Sequence, residues 1–136
     1  LESLQPGRFA LKNGEAMKIS EASTKSGLSA DTIRYYEKSG LVPAVERGPD
    51  GLRRFSPENI EWLTLLYWLR KTGMPMKEMQ RFAALYRDGE VTIADRRKLL
   101  LKHSERLRQR RMDLDRCNEV LAYKIAAYDK IEGDLS

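Results

Sequence analysis

Lys18-Ile19-Ser20-Glu21-Ala22-Ser23-Thr24-Lys25-Ser26-Gly27-Leu28-Ser29-Ala30-Asp31-Thr32-Ile33-Arg34-Tyr35-Tyr36-Glu37-Lys38-Ser39-Gly40-Leu41-Val42-Pro43 is the stretch whose reading decides the fold. It predicts two short helices about a tight turn. The first covers Ser20 to Ser26, with Ile19 and Ala22 facing inward. Gly27 ends it, because glycine tolerates the left-handed backbone of an abrupt helix stop. Ser29 caps the second helix and Asp31 suits its positive N-terminal end. That helix runs roughly Ala30 to Ser39 and stops at Gly40. Two short helices joined through a glycine-containing turn are the helix-turn-helix signature. Leu28, Ile33, Tyr36 and Leu41 predict a small shared core, which leaves Thr32, Arg34 and Tyr35 on or near the outer face.

Pro43 to Phe55 follows. Pro49-Asp50-Gly51 predicts a turn, since proline presets one dihedral and glycine accepts a positive one. The flanking segments read as the strands of a β-hairpin wing, with Arg53 and Arg54 on the return strand. Ser56-Pro57-Glu58 marks a helix start of cap, proline and acid. Ile60, Leu63, Leu66 and Tyr67 carry that helix to about Lys71, where Gly73-Met74-Pro75 breaks it. Met76, Met79, Phe82, Ala83 and Tyr86 mark another helix, ending near Asp88-Gly89. Residues 92–131 contain neither Gly nor Pro. Within them Ile93, Leu100, Leu107, Leu114, Leu121 and Tyr128 recur at every seventh position, the period of a coiled coil. The companion stripe is mostly polar (Arg97, Ser104, Arg111, Asn118) and turns apolar only at Ile125. A helix about 60 Å long with one such stripe needs a partner, most simply a second copy.

Composition sets bounds on function. The net charge of +5 suits a polyanion partner. Yet residues 17–56 hold seven Lys/Arg against five Asp/Glu, so charge alone does not locate a nucleic-acid site. One cysteine, Cys117, and one histidine, His103, make neither a disulfide framework nor a closed zinc site. No metal and no cofactor is expected, and the thiol usage fits a reducing, cytoplasmic setting. Nothing supplies a nucleophile with its base, so an enzyme is not expected. No run reaches the roughly eighteen apolar residues of a membrane helix. Residues 1–16 lack the marks of a secretory signal and read as a disordered leader or tag, with Met17 as the natural start. The expected organisation is a DNA-binding head over 17–88, a dimerisation coiled coil over 92–131 and a tail over 132–136.

The run from Lys18 to Pro43 resembles the head of MerR family transcription regulators. There, a helix-turn-helix ending in Arg-Tyr-Tyr-Glu leads to Gly-Leu and a wing. Gly51-Leu52-Arg53-Arg54-Phe55 is similar to the family's wing pattern, with Leu and Phe in place of its two tyrosines. Asn59-Ile60, the Gly73-to-Glu78 break and the long helix stand where the family has them. The resemblance implies a mainly α fold: a winged helix-turn-helix head with a small β-hairpin, two further helices and a long antiparallel coiled-coil helix. It implies a homodimer on a promoter inverted repeat, distorting the spacer DNA so that RNA polymerase, an indirect partner, engages both promoter elements. It implies that Arg34, Tyr35, Arg53 and their neighbours touch DNA. The chain is similar to the small form without a large effector domain. Cys117 in mid-helix and the absence of Cys from Asp88–Thr92 depart from the metal sensors. The short tail and the Arg-Gln-Arg-Arg-Met-Asp stretch look more like the aldehyde- or electrophile-responsive branch. Its helix cysteine is replaced here by Trp68.

The candidate DNA-binding residues are therefore Ser29, Thr32, Arg34, Tyr35, Arg53 and Arg54. The dimerisation seam is Ile93, Leu100, Leu107, Leu114, Leu121 and Ile125. Each has a bland counterpart. Arg34 can simply pair with Asp31 or Glu37, and Arg53 and Arg54 can be ordinary edge-strand charges. Of the two tyrosines, Tyr36 is assigned to the core and Tyr35 to a phosphate. Trp62, Tyr67, Trp68, Phe82 and Tyr86 line either a pocket or the core. His103 reads as a solvated helix residue. The alternative function is a DNA-bending architectural or excisionase-like protein without an inducer.

Overall fold

Helices α1 (Ile19–Ser26) and α2 (Ala30–Lys38) form in a computed structural model that describes residues 16–136. The expected leader, residues 1–16, lies outside the described residues apart from Ala16. Gly27 closes α1 at φ 92°, in the left-handed region that the reading of the turn requires. Ser29 caps α2, its hydroxyl oxygen accepting the Thr32 N–H at 3.1 Å. Ala22, Leu28, Ile33, Tyr36 and Leu41 are buried, so one stripe of each short helix faces the core.

Strands β1 (Glu46–Arg47) and β2 (Arg53–Arg54) form an antiparallel hairpin, with Glu46 opposite Arg54 and Arg47 opposite Arg53. The turn between them is closed at both ends of Gly48: its N–H donates to the Leu52 carbonyl and its own carbonyl accepts the Gly51 N–H, each at 2.9 Å. Asp50 Oδ1 accepts the Leu52 N–H at 3.1 Å. Just past β2, Phe55 and Met17 exchange two backbone hydrogen bonds of 2.9 and 2.8 Å, which ties the wing to the start of α1.

Helix α3 (Pro57–Lys71) starts at a reciprocal cap. Ser56 Oγ accepts the Asn59 N–H at 3.1 Å, and Asn59 Oδ1 accepts the Ser56 N–H at 2.9 Å. Helix α4 (Met76–Arg87) follows the break, with Met74 buried inside it. Ile33, Leu41, Phe55, Ile60, Leu63, Leu66, Met74, Met79 and Phe82 make the innermost layer of the head. Trp62 lies beside them, stacked on Phe82 with centroids 5.4 Å apart and tilted on Tyr86 at 4.6 Å. Its indole N–H donates to the Leu41 carbonyl at 2.8 Å. These aromatics are core. Next to them is only a depression of about 50 Å³, lined by Pro43, Glu58, Asn59, Trp62 and Tyr86.

A short 3₁₀ turn (Glu90–Thr92) leads into α5 (Ile93–Leu135). Thr92 fastens the turn: its buried hydroxyl donates to the Leu85 carbonyl at 2.5 Å and accepts from Arg96 Nε at 3.1 Å. The expected tail, 132–136, is helical as far as Leu135. Gly133 alone costs a helix only about 1 kcal/mol. The chain divides into a unit through Leu99 and a second unit, Leu100–Ser136. In the second, Met112, Leu114, Leu121, Ile125 and Tyr128 are exposed in the single chain. His103 corrects its reading as a solvated residue: it is buried, and Arg106, one turn on, brings Nη1 to 2.7 Å from its Nδ1. A guanidinium only donates, so that ring nitrogen accepts.

Gly27 gives a direct test of the turn. A Cβ there would stand 3.0 Å from the Tyr67 ring, and the left-handed backbone costs an L-residue about 1–2 kcal/mol. Gly27→Ala should therefore lower the unfolding free energy by at least about 1 kcal/mol. Denaturant unfolding followed by circular dichroism measures it, and an unchanged midpoint would count against the tight-turn assignment.

Candidate nucleic-acid interface

The outer face of α2 is set by what its inner face buries. Ile33 and Tyr36 point inward, so Asp31, Arg34 and Tyr35 point to solvent. Burial pushes the Tyr36 hydroxyl above its ordinary value, against the opposing effect of the Arg70 charge. Tyr35, 60% exposed, lies with its ring 6.2 Å from that of Tyr36. Tyr36 thus lies in the core, as the sequence assigns it, and Tyr35 is left on the surface.

Apart from Tyr35, each candidate residue has a polar partner within the head. Ser29 spends its oxygen on the helix cap, and its hydroxyl donates to Thr32 Oγ1 at 2.8 Å. Thr32 is half-buried. Arg34 pairs with Asp31 at 2.9 Å rather than with Glu37, the other partner its spacing offers. Arg54 reaches Asp50 at 2.8 Å across the turn and lies against Gly48, where a Cβ would meet its guanidinium at 3.0 Å. The two hydrogen bonds to Asp50, from Arg54 and from the Leu52 N–H, hold its carboxyl below the usual range. Arg47 donates to the Gly51 carbonyl at 3.2 Å.

Arg53 is held differently. Its Nε donates to Glu37 Oε1 at 2.6 Å, and the two side chains are only 23% and 16% exposed. Glu37 Oε2 accepts the Val45 N–H at 3.1 Å. One carboxylate on α2 therefore joins both limbs of the wing. Burial pushes the Glu37 carboxyl up. The bonds from Arg53 and Val45, with the charges of Arg53 and Arg47, outweigh that and leave it below the usual carboxylate range. Sequence reasoning offers Glu37 only as a partner for Arg34. A signal was there in the spacing: Ile33, Tyr36 and Glu37 fall on one helical stripe, and an acid on a buried stripe needs a donor. A further anchor, Arg87, donates to the Gly40 carbonyl at 2.5 Å and so ties the end of α4 to the stop of α2.

Of the expected seam, Leu100 and Leu107 are half-buried, and Ile93, Leu114, Leu121 and Ile125 are exposed. Cys117 is free and exposed. Among the described residues no cluster of His, Cys, Asp and Glu is arranged to hold a metal, and no helix is long and apolar enough to cross a membrane.

A capped α2 that exposes Arg34, Tyr35 and Lys38, braced against a two-stranded wing, defines a winged helix-turn-helix protein. Residues 17–85 match the family described as MerR HTH family regulatory protein, and residues 60–123 match MerR, DNA binding. An HTH-type transcriptional regulator of Haemophilus influenzae is 39% identical over 110 residues, covering 81% of this chain and 82% of that one. A MerR family regulator of Listeria monocytogenes of known structure is 39% identical, with a TM-score of 0.76, over 83% of this chain and 86% of that one. The crystal structure of HiNmlR, a MerR family regulator lacking the sensor domain and bound to promoter DNA, superposes with a TM-score of 0.76. It is 36% identical over 87% of this chain and 94% of that one. The chain belongs to the MerR family of DNA-binding transcriptional regulators, which are not enzymes.

Glu37 should leave a mark on the pH dependence of stability. Its lowered value means that the folded state favours the ionised form. The contribution is present above the unfolded carboxylate value, about 4.3, and is lost as pH falls through the lower folded value. Glu37→Gln should cost about 1–3 kcal/mol at pH 7, the worth of hydrogen bonds to a charged group. Unfolding curves of the two proteins should converge as the pH falls below that of a free glutamate. A gap that stayed constant into acid would show that the carboxylate charge contributes nothing.

Proposed function

We propose that this protein binds a promoter inverted repeat as a homodimer and controls transcription by distorting the spacer DNA, with RNA polymerase responding to the altered DNA shape. The proposal divides the chain into a DNA-binding head (17–88) and a dimerisation helix (92–131). The observation that carries it is the presence of two surfaces: an α2 face that exposes Arg34, Tyr35 and Lys38 and is braced to a wing, and an apolar stripe on α5 whose Leu114, Leu121 and Ile125 a single chain leaves exposed. A relative bound to promoter DNA supports the first half.

On this reading Arg34 and Thr32 read base edges and Tyr35 takes a phosphate. Arg53 and Arg54 grip the backbone from the wing, and Ser29 acts mainly through the cap. The base-reading set is small, so sequence preference rests strongly on how readily the DNA deforms. Leu114 and Leu121 sit within the seam, and Ile93, Leu100, Leu107 and Ile125 extend it. Burying each such side chain against a second copy is worth about 1.5–3 kcal/mol.

Two measurements test these halves separately. Leu114→Asp removes apolar burial from both copies and places a charge in the seam, so the dimer should weaken by about 3–6 kcal/mol, more than a hundredfold. Equilibrium sedimentation decides it, and a dimer as tight as wild type would refute the seam. Arg34→Ala should change the ranking of operator variants by about 1–3 kcal/mol at one base pair per half-site. If it weakened every duplex equally, Arg34 would be a backbone contact and the base-reading assignment would fall.

A further inference from the structure

A hairpin of two-residue strands has little to fix its angle. Beside the Met17–Phe55 bridge, a side chain of the neighbouring helix fastens it here. Val45 immediately precedes β1 and Arg53 opens β2, and Glu37 on α2 accepts from both, at 3.1 and 2.6 Å. The geometry points to Glu37 as a positioning residue for DNA binding: it sets the wing against α2 and holds the Arg53 guanidinium by its Nε edge, directing the two terminal nitrogens to a phosphate. This inference rests on the proposed contact between Arg53 and the DNA backbone. It goes further in giving a role to an acid that does not itself touch DNA.

The physical case has two parts. A guanidinium carries five N–H donors on three nitrogens, and the bond to Glu37 uses the one on Nε. A long side chain already held in place also loses less freedom when it meets its ligand. The pair is more enclosed than the other arginine pairs of the head. Arg34 and Asp31 are 48% and 97% exposed, against 23% and 16% for Arg53 and Glu37.

The opposing view gives the opposite sign. If Glu37 were merely an acid near a polyanion, it would repel phosphates, and neutralising it would tighten binding. If it positions Arg53, neutralising it weakens binding although a negative charge has been removed.

The test uses the full chain and a fluorescein-labelled mixed-sequence DNA duplex, since a phosphate contact does not depend on the operator. Anisotropy titrations at several salt concentrations give affinity and log–log salt slope for each variant. Glu37→Gln should weaken binding about three- to tenfold, the worth of one immobilised long side chain, with the slope unchanged because Arg53 still reaches its phosphate. Arg53→Ala should weaken binding and lower the slope by about 0.9 for each phosphate that is no longer neutralised. Arg53→Lys keeps the charge but lacks the fork that serves Glu37 and a phosphate together, so it should behave like Glu37→Gln. In the Arg53→Ala background, Glu37→Gln should have almost no further effect, which a general loss of stability would not produce. Circular dichroism establishes that each variant is folded. If Glu37→Gln is not, Arg53→Lys carries the test alone, and wild-type affinity in that variant overturns the inference. Wild-type or tighter binding by folded Glu37→Gln, with Arg53→Ala weakened, overturns the positioning role and leaves the Arg53 contact standing. Wild-type affinity and slope in Arg53→Ala overturn the contact itself, and the inference with it.

Discussion

The wing is too small to hold itself. Two strands of two residues supply only a few ladder hydrogen bonds, and even a longer isolated hairpin is marginal in water. Its placement therefore depends on fastenings to the helices around it. The Met17–Phe55 bridge anchors its exit, with Phe55 fully buried behind the bridge. The Glu37 carboxylate anchors its two limbs to α2. A winged reader needs helix and wing in a fixed relation, because both must meet one duplex at once. In this head one ionised side chain and one backbone bridge, with Val45 and Phe55 buried at the two ends of the wing, carry the relation.

The same logic runs through the rest of the head. The Leu41 carbonyl, just past α2, accepts from the Trp62 indole, and the Gly40 carbonyl accepts from Arg87. The carbonyls that follow α2 are thus satisfied by side chains from α3 and α4. The last carbonyls of α2 itself accept the backbone N–H groups of Ser39, Gly40, Leu41 and Val42, so the side chains of Trp62 and Arg87 serve the chain just beyond the helix and join it to α3 and α4. The Trp62–Phe82–Tyr86 cluster fills the space that a pocket would need and leaves a small depression beside it, whereas Trp68, the other tryptophan of α3, is exposed and belongs to neither core nor pocket.

How much of this is legible in the sequence follows from how far apart the partners lie along the chain. Gly27, Gly40 and Ser56-Pro57 announce their elements through local backbone preferences, so the helix order and the turn can be read directly. The wing can be read from Pro49-Asp50-Gly51 for the same reason. Spacing narrows the partner of Arg34 to two acids on its own helix, and the structure selects Asp31. Glu37 is not legible as a clamp, because Val45 and Arg53 lie eight and sixteen residues away across a loop that periodicity does not describe. The Thr92–Arg96 lock at the start of α5 is hidden likewise: it depends on a 3₁₀ turn that no local signal marks. Helix α5 runs on through Gly133 to Leu135, because a lone glycine near a helix end is too weak a breaker to stop the helix.

The arginine pairs of the head also order themselves by what it takes to open them. Arg34 and Asp31 sit in water, where an ion pair is weak and is readily exchanged for another partner. Arg53 and Glu37 are largely enclosed, and separating them would leave a carboxylate without its charged partner in a place water reaches poorly. On the proposed reading this difference suits the two tasks. A side chain that reads bases must be able to leave its resting partner and try the groove, with a mismatch returning it at little cost. A side chain that sets register on the backbone should not move at all. The exposed pair lies on the recognition helix and the enclosed one at the wing, so the solvent exposure of two ion pairs matches the proposed division between reading and positioning.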